Sequence, residues 1–131
     1  MKVAIAGYGI EGKVSLAYWQ QRGDEVVVAD ERAQLDVSLD CIQTILGADL
    51  IIRSPSVPPH QLPYGDKVWS APNEFFAQCP APIIGVTGSK GKGTTSSFIA
   101  SILRQPGRTV HLVGNIGTPA LDVLPSIPSD A

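Results

Sequence analysis

The sequence is poor in cysteine. Cys41 and Cys79 are its only two, far apart, with no Cys-x-x-Cys spacing and no neighbouring histidine. That excludes a disulfide-stapled scaffold and a Cys/His metal site, and it predicts two buried free thiols. Long apolar runs are also missing, and no window approaches the ~18 apolar residues of a membrane span. Ten Lys and Arg stand against twelve Asp and Glu, for a net charge of −2, without any block of one sign. A nucleic-acid footprint and a membrane-attracting basic patch are thereby excluded. The first nine residues, Met1 to Gly9, lack the unbroken apolar stretch and small-residue cleavage site of a secretory signal. These absences together predict a soluble protein of a reducing compartment, the cytoplasm.

What the chain does have is length for one full domain, or for one small domain and part of another, in 131 residues of which 44% are hydrophobic. Thirteen glycines and eleven prolines punctuate it densely. Val3 to Ala6 is a short apolar run that ends in glycines. Val14, Ala17, Tyr18 and Gln21 then fall at helical spacing beside Leu16 and Trp19. Gly23 closes that helix, and Val26 to Ala29 reads as a second strand covered on both faces. Cys41, Ile42, Ile45 and Leu46 predict one face of another helix, closed by Gly47 before a third strand, Leu50 to Ile52. The implied topology is three parallel strands with two crossover helices. A short strand over Lys67 to Trp69 and a helix over Asn73 to Gln78 follow more weakly.

Near Pro82 the pattern restarts. Ile83 to Val86 predicts a strand, Thr94 to Arg104 a helix with Phe98, Ile99, Ile102 and Leu103 inward, and Val110 to Val113 another strand. The expected organisation is a Rossmann-like parallel α/β domain over residues 1–81, then the beginning of a P-loop ATPase-like α/β domain over 82–131.

Each unit carries a glycine turn between strand and helix. Gly7-Tyr8-Gly9-Ile10-Glu11-Gly12 fits G-x-G-x-x-G, whose glycines permit a tight turn, close backbone approach to a diphosphate and packing of helix on strand. Asp30 ends the second strand 18 residues after Gly12, where a ribose-binding acid would stand. Glycines that serve packing alone, with Asp30 a solvated strand end, are the structural alternative. The second turn contains Gly88, Ser89, Lys90, Gly91, Lys92, Gly93, Thr94 and Thr95. Backbone N–H groups freed by its glycines suit phosphate oxygens, the helix N-terminus adds a positive end, Lys92 reaches the outer phosphates, and a hydroxyl holds Mg²⁺. The standard spacing asks for glycine at Val86 and a hydroxyl at Gly93. Lys90 reads equally as a second phosphate contact or a solvated lysine. His60, in a Pro-rich loop, and His111, in an apolar segment, read as structural.

With both turns in view, the chain resembles the Mur ligase family over nearly its whole length. The resemblance is carried by Gly7 to Gly12, Asp30-Glu31-Arg32, Ser54-Pro55-Ser56-Val57, Asn73-Glu74-Phe75-Phe76, Thr87 to Thr95 and Gly114-Asn115-Ile116-Gly117. It implies an ATP- and Mg²⁺-dependent amide ligase of peptidoglycan precursor synthesis, working through an acyl phosphate. The branch favoured adds D-glutamate to UDP-N-acetylmuramoyl-L-alanine.

The resemblance assigns roles to matching positions of this sequence. Lys92 would neutralise charge on the β and γ phosphates, the backbone around Ser89 to Gly93 would cradle them, and Thr94 would ligate Mg²⁺ with Thr95 in reserve. Gly7, Tyr8, Gly9, Ile10, Glu11 and Gly12 would approach the UDP diphosphate. Asp30, Glu31 and Arg32 would sit beside uracil, with Arg32 available to a phosphate, and Ser54 and Asn115 would contact the phosphate and sugar regions. The chain departs from the family at Ser56, usually glycine, at Lys90, usually asparagine, and at Gly93, usually a hydroxyl residue in this branch. Gly93-Thr94 is similar instead to the folylpolyglutamate synthases, which lack the N-terminal domain. The family's further metal ligands and third domain are not in the 131 residues, so the expectation is a fragment that binds a UDP-sugar without forming the amide. A nicotinamide-dependent oxidoreductase and a non-catalytic nucleotide-binding module are the rival classes.

Overall fold

The computed structural model describes residues 1–30, 45–62, 65–114 and 118–131. Contacts divide the chain into two units, Met1–Glu74 and Phe75–Ala131.

In the first unit the apolar runs become parallel strands: β1 (Lys2–Ala6), β2 (Glu25–Ala29), β3 (Leu50–Arg53) and β4 (Val68–Trp69). Their order across the sheet is β2-β1-β3-β4 and every neighbouring pair is parallel. This is the Rossmann-like α/β arrangement that the sequence predicts. The chain leaves β1 toward one neighbour and later returns to its other side, so the topology reverses between β1 and β3. Ala6 is in register with Ala29 on one side and with Arg53 on the other.

Both faces of the sheet are buried, which is why the strands are nearly continuous in apolar residues. On one face Val3, Ile5 and Ile52 cluster with Trp19 of helix α1 (Ile10–Gln21). On the other, Ala4, Ala6, Ala29 and Ile51 cluster with Ile45, Ala48, Val57 and Leu62. The period of two sends adjacent residues of one strand to opposite layers.

Helix α1 forms where the spacing predicts it, and its buried stripe includes two residues without an apolar signal. Gly12, Ser15 and Trp19 are buried, whereas Ala17 and Gln21 are exposed. Val14, Leu16 and Tyr18 are half-buried, the last two against the Trp19 cluster, and the close approach of Gly12 to the β1 turn holds the Gly12–Ser15–Trp19 stripe inward. Of the second predicted helix, Cys41 and Ile42 lie outside the described residues; Ile45 is buried and Leu46 is exposed.

Helix α2 (Ala71–Gln78) starts after Ser70, whose hydroxyl accepts a hydrogen bond from the Asn73 N–H at 3.2 Å and so caps the first turn. The helix carries the buried Glu74. The Glu74 carboxylate accepts hydrogen bonds from the Tyr18 hydroxyl at 2.9 Å, the Arg22 guanidinium at 3.0 Å and the Trp69 indole N–H at 3.1 Å. Arg22 also lies 4.9 Å from the Trp19 ring centroid and 5.6 Å from that of Tyr18. One carboxylate thus ties the C-terminal part of α1 to β4 and to α2.

The second unit contains α3 (Lys92–Arg104) and the short α4 (Ala120–Val123), the latter continued by a single 3₁₀ turn, Leu124–Ser126. The predicted strands Ile83 to Val86 and Val110 to Val113 form no ladder; Val113 makes one isolated bridge with Thr118. A strand exists only through hydrogen bonds to a neighbour, and these two segments do not pair with each other. The inward face of α3 is also corrected. Phe98 and Ile102 are about two-thirds exposed, Ala100 is buried, and Ile99 and Leu103 are half-buried. Cys79 is a free, half-buried thiol.

Two outcomes test the Glu74 cluster. Glu74→Ala is expected to lower unfolding stability by about 3 kcal/mol, because a guanidinium, a hydroxyl and an indole N–H lose their acceptor together; chemical denaturation measures it. Burial, and secondarily Glu74, raise the Tyr18 hydroxyl above its ordinary value of 10.0 against a lowering hydrogen bond from Arg22. The stability that depends on the protonated hydroxyl is therefore fully present below pH 10 and lost as pH rises past the folded-state value. The stability of the wild type relative to Tyr18→Phe should accordingly hold up to pH 10 and fall as the pH is raised beyond it.

Candidate functional site

The carboxyl edge of the first sheet is shaped by a backbone contact. Gly7 leaves β1 with φ +92°, a left-handed conformation suited to glycine. Its N–H donates to the Ala29 carbonyl at 2.8 Å, continuing the β1–β2 ladder by one residue. Its carbonyl accepts the buried Ser54 hydroxyl at 2.9 Å. A Cβ on Gly7 would meet Ser54 Cβ at 2.9 Å and Val57 Cγ2 at 3.0 Å, and one on Gly12 would overlap the Gly7 carbonyl oxygen.

Gly9 differs from these two. A Cβ there would meet nothing within 4 Å, and its φ of −75° suits any residue. Packing therefore accounts for glycine at 7 and 12 but not at 9. Gly9 is the N-cap of α1 without a side-chain cap, so the first-turn N–H groups keep their capacity toward an external acceptor. Tyr8 is half-buried, Ile10 is 75% exposed and Glu11 is half-buried beside that turn.

Asp30 stands just past β2 and accepts a hydrogen bond from the Tyr8 N–H at 2.6 Å. The sheet therefore brings Asp30 to the first glycine turn, as the spacing predicts. Ser54, expected against the substrate, spends its hydroxyl on the Gly7 carbonyl and is buried. Glu31, Arg32 and Asn115 lie outside the described residues.

The side chain that sequence reasoning passed over is Arg53. It ends β3 in register with Ala6, is half-buried, and donates to the Val57 carbonyl at 2.9 Å. Ser54 to Val57 is a turn closed by the Val57 N–H on the Ser54 carbonyl at 3.0 Å. The available signal was one basic residue closing an otherwise apolar buried strand. Glu74 stands within a family motif, but nothing local announces a carboxylate whose partners are 52 and 56 residues away.

In the second unit, residues 87–92 are exposed and lead into α3. Gly88 has φ +153° and Gly91, the N-cap, has φ +78°; both conformations suit glycine. Lys92 Nζ donates to the Gly88 carbonyl at 2.6 Å, closing the loop on itself, and the Thr95 N–H donates to the Gly91 carbonyl at 2.9 Å. No side chain caps α3. Ser96 bonds back to the carbonyls of Lys92 and Gly93 at 2.8 and 3.1 Å. Thr94 is exposed in the first turn and lines a shallow depression with Gly91, Gly93 and Ser97. Ser89 and Lys90 are exposed. Along the other side of α3 runs an apolar groove of about 500 Å³, lined by Ile84, Val86, Ile99, Leu103, Val110 and Leu112.

Among the described residues no group of His, Cys, Asp and Glu forms a metal cage. No described helix is long and apolar enough to cross a membrane.

No family model matches the chain. Among curated proteins, the UDP-N-acetylmuramoylalanine–D-glutamate ligase of Symbiobacterium thermophilum is 33% identical over 99% of this chain and 33% of its own length. The ligase of the same name from Roseiflexus sp. is 31% identical over 96% of the chain and 32% of its own. That of Oleidesulfovibrio alaskensis is 40% identical over 73% of the chain and 25% of its own. The chain thus spans about a third of the length of these relatives.

Gly9 and Gly12 of the first turn are separable by experiment. Gly12→Ala is expected to cost about 2 kcal/mol or more, since backbone must move to admit the methyl group. Gly9→Ala should stay within about 1 kcal/mol of the wild type in chemical denaturation.

Proposed function

Because the chain belongs to the Mur ligase family, we propose that its first unit binds the UDP moiety of a peptidoglycan precursor and that its second unit carries the phosphate loop of an ATP-dependent amide ligase. The relatives' printed name gives the reaction: D-glutamate joined to a UDP-N-acetylmuramoylalanine. The whole activity belongs to a chain about three times as long as the segment matched here.

The observation that carries the reading is Gly9, a glycine required neither by conformation nor by packing, at the uncapped start of α1 and beside Asp30. A ligand that approaches the backbone accounts for the missing side chain there. Ile10 and Glu11 then offer first-turn N–H groups to a diphosphate, and Asp30, an acceptor, suits nucleoside hydroxyls or the uracil N–H.

The second loop fits a triphosphate. Gly88 and Gly91 hold its turn in conformations reserved for glycine, α3 begins uncapped, and Lys92 places its ammonium over the loop. With Mg²⁺, ATP would supply an activated acyl phosphate for amide formation. Lys92 would exchange the Gly88 carbonyl for phosphate oxygens and offset charge developing there. Thr94 offers a hydroxyl one position later than the standard motif, because Gly93 has none. The same loop supports folylpolyglutamate-type chemistry; the presence of the first unit supports the cell-wall substrate. The cytoplasm, where such soluble precursors are made, is the compartment this reading requires.

The test is the thermal midpoint of the chain with separate additions of UDP-N-acetylmuramoyl-L-alanine, NADH and Mg-ATP. The UDP-sugar and Mg-ATP should each raise it; a rise with NADH alone overturns the reading in favour of a nicotinamide enzyme. Gly9→Ala should abolish most of the UDP-sugar effect and none of the Mg-ATP effect. Lys92→Met should weaken Mg-ATP about tenfold or more by titration calorimetry, since a charge-assisted contact is lost. Undiminished affinity would remove Lys92 from the phosphate site.

A further inference from the structure

The chain order β1, β2, β3 and the sheet order β2-β1-β3-β4 put the reversal of topology between β1 and β3. In open parallel sheets the crevice for a ligand opens at that point, outside the carboxyl ends of the strands. Here that point is flanked by the Gly7–Gly9 turn after β1 and the Ser54–Val57 turn after β3. The two turns are joined by the Ser54 hydroxyl on the Gly7 carbonyl at 2.9 Å.

Arg53 is the last residue of β3, level with the last residue of β1. Its guanidinium reaches past the strand end to the Val57 carbonyl. One of its five N–H donors is accounted for by that bond. No carboxylate among the described residues lies within ion-pair distance of it, whereas Arg22, the other described arginine of this unit, has Glu74 and Asp24. A half-buried guanidinium with no acid beside it among the described residues, at the carboxyl edge of the sheet, is an electrostatic arrangement completed by an anion. Asp30 stands on the opposite, β2 side of β1 and bears the opposite charge.

We propose that Arg53 is the cationic contact of the diphosphate at this edge of the sheet. The assignment rests on the reading of the first unit as a UDP site, but it names a residue outside the glycine motif. Arg53 also braces Val57 by its hydrogen bond, so the test must separate charge from bracing.

Titration calorimetry of the full 131-residue chain with UDP and with uridine does this. Arg53→Gln is expected to weaken UDP about tenfold and leave uridine unchanged, and Arg53→Lys to recover most of the loss, because both readouts follow the cation. The UDP affinity of the wild type should fall with added salt more steeply than that of Arg53→Gln. An equal loss for UDP and uridine would mean that Arg53 only braces the turn, and an unchanged UDP affinity in Arg53→Gln would remove it from the site; either overturns the proposal. If Arg53→Gln does not fold, Arg53→Lys decides. UDP binding retained with the salt dependence of the wild type supports the proposal, and UDP affinity that is independent of salt in both chains overturns it. A wild-type chain that binds no UDP overturns the UDP reading itself, an outcome distinct from all of these.

Discussion

The first unit depends on how closely α1 approaches the end of β1. At Gly12 the helix backbone lies so near the Gly7 carbonyl oxygen that no side chain fits between them. That oxygen is also the acceptor of Ser54, so a single carbonyl joins the turn after β1 to the turn after β3. The contact sets the rotation of α1, brings Ser15 and Trp19 against the sheet, and leaves the uncapped helix start facing outward beside Gly9. Removing the room at Gly12 would disturb helix packing and crevice shape together.

Charge is distributed around that contact with a division of labour. Glu74 and Arg22 satisfy one another in a network of hydrogen bonds and ring contacts at the far end of α1 from the glycine turn. Their interaction joins elements and leaves little capacity for a ligand. Asp30 and Arg53 stand at the carboxyl edge on either side of β1. A nucleoside diphosphate has this same polarity, hydroxyls and a base at one end and concentrated negative charge at the other. The phosphate loop proposed for the second unit is built by other means. Its loop relies on glycine conformations, a helix start and the flexible ammonium of Lys92, which is held on the Gly88 carbonyl until a stronger acceptor competes.

Much of the first unit was legible in the sequence because its strands are buried on both faces. Uninterrupted apolar runs such as Val26 to Ala29 and Leu50 to Ile52 are too short for a buried helix and are bounded by polar residues, which leaves a doubly covered strand. The glycine turns were equally legible, since a strand, a glycine cluster and a helix in succession is a local pattern. The inward face of α3 was misread, and the full buried stripe of α1 was not legible, for one reason. Apolar spacing marks several overlapping faces on a helix, and Gly12 and Ser15, which are buried, carry no apolar signal. The segments Ile83 to Val86 and Val110 to Val113 have strand composition, yet composition does not supply the neighbour that a ladder requires.

By itself the sequence determined the parallel α/β character of the first unit and the place of both glycine turns, features written in residues close together along the chain. Tertiary structure alone decided which glycine is spared by packing, that Glu74 gathers Tyr18, Arg22 and Trp69, and that Arg53 stands beside the Gly7 turn. These follow from strand order and register, which pair residues tens of positions apart. No local spacing encodes such distances.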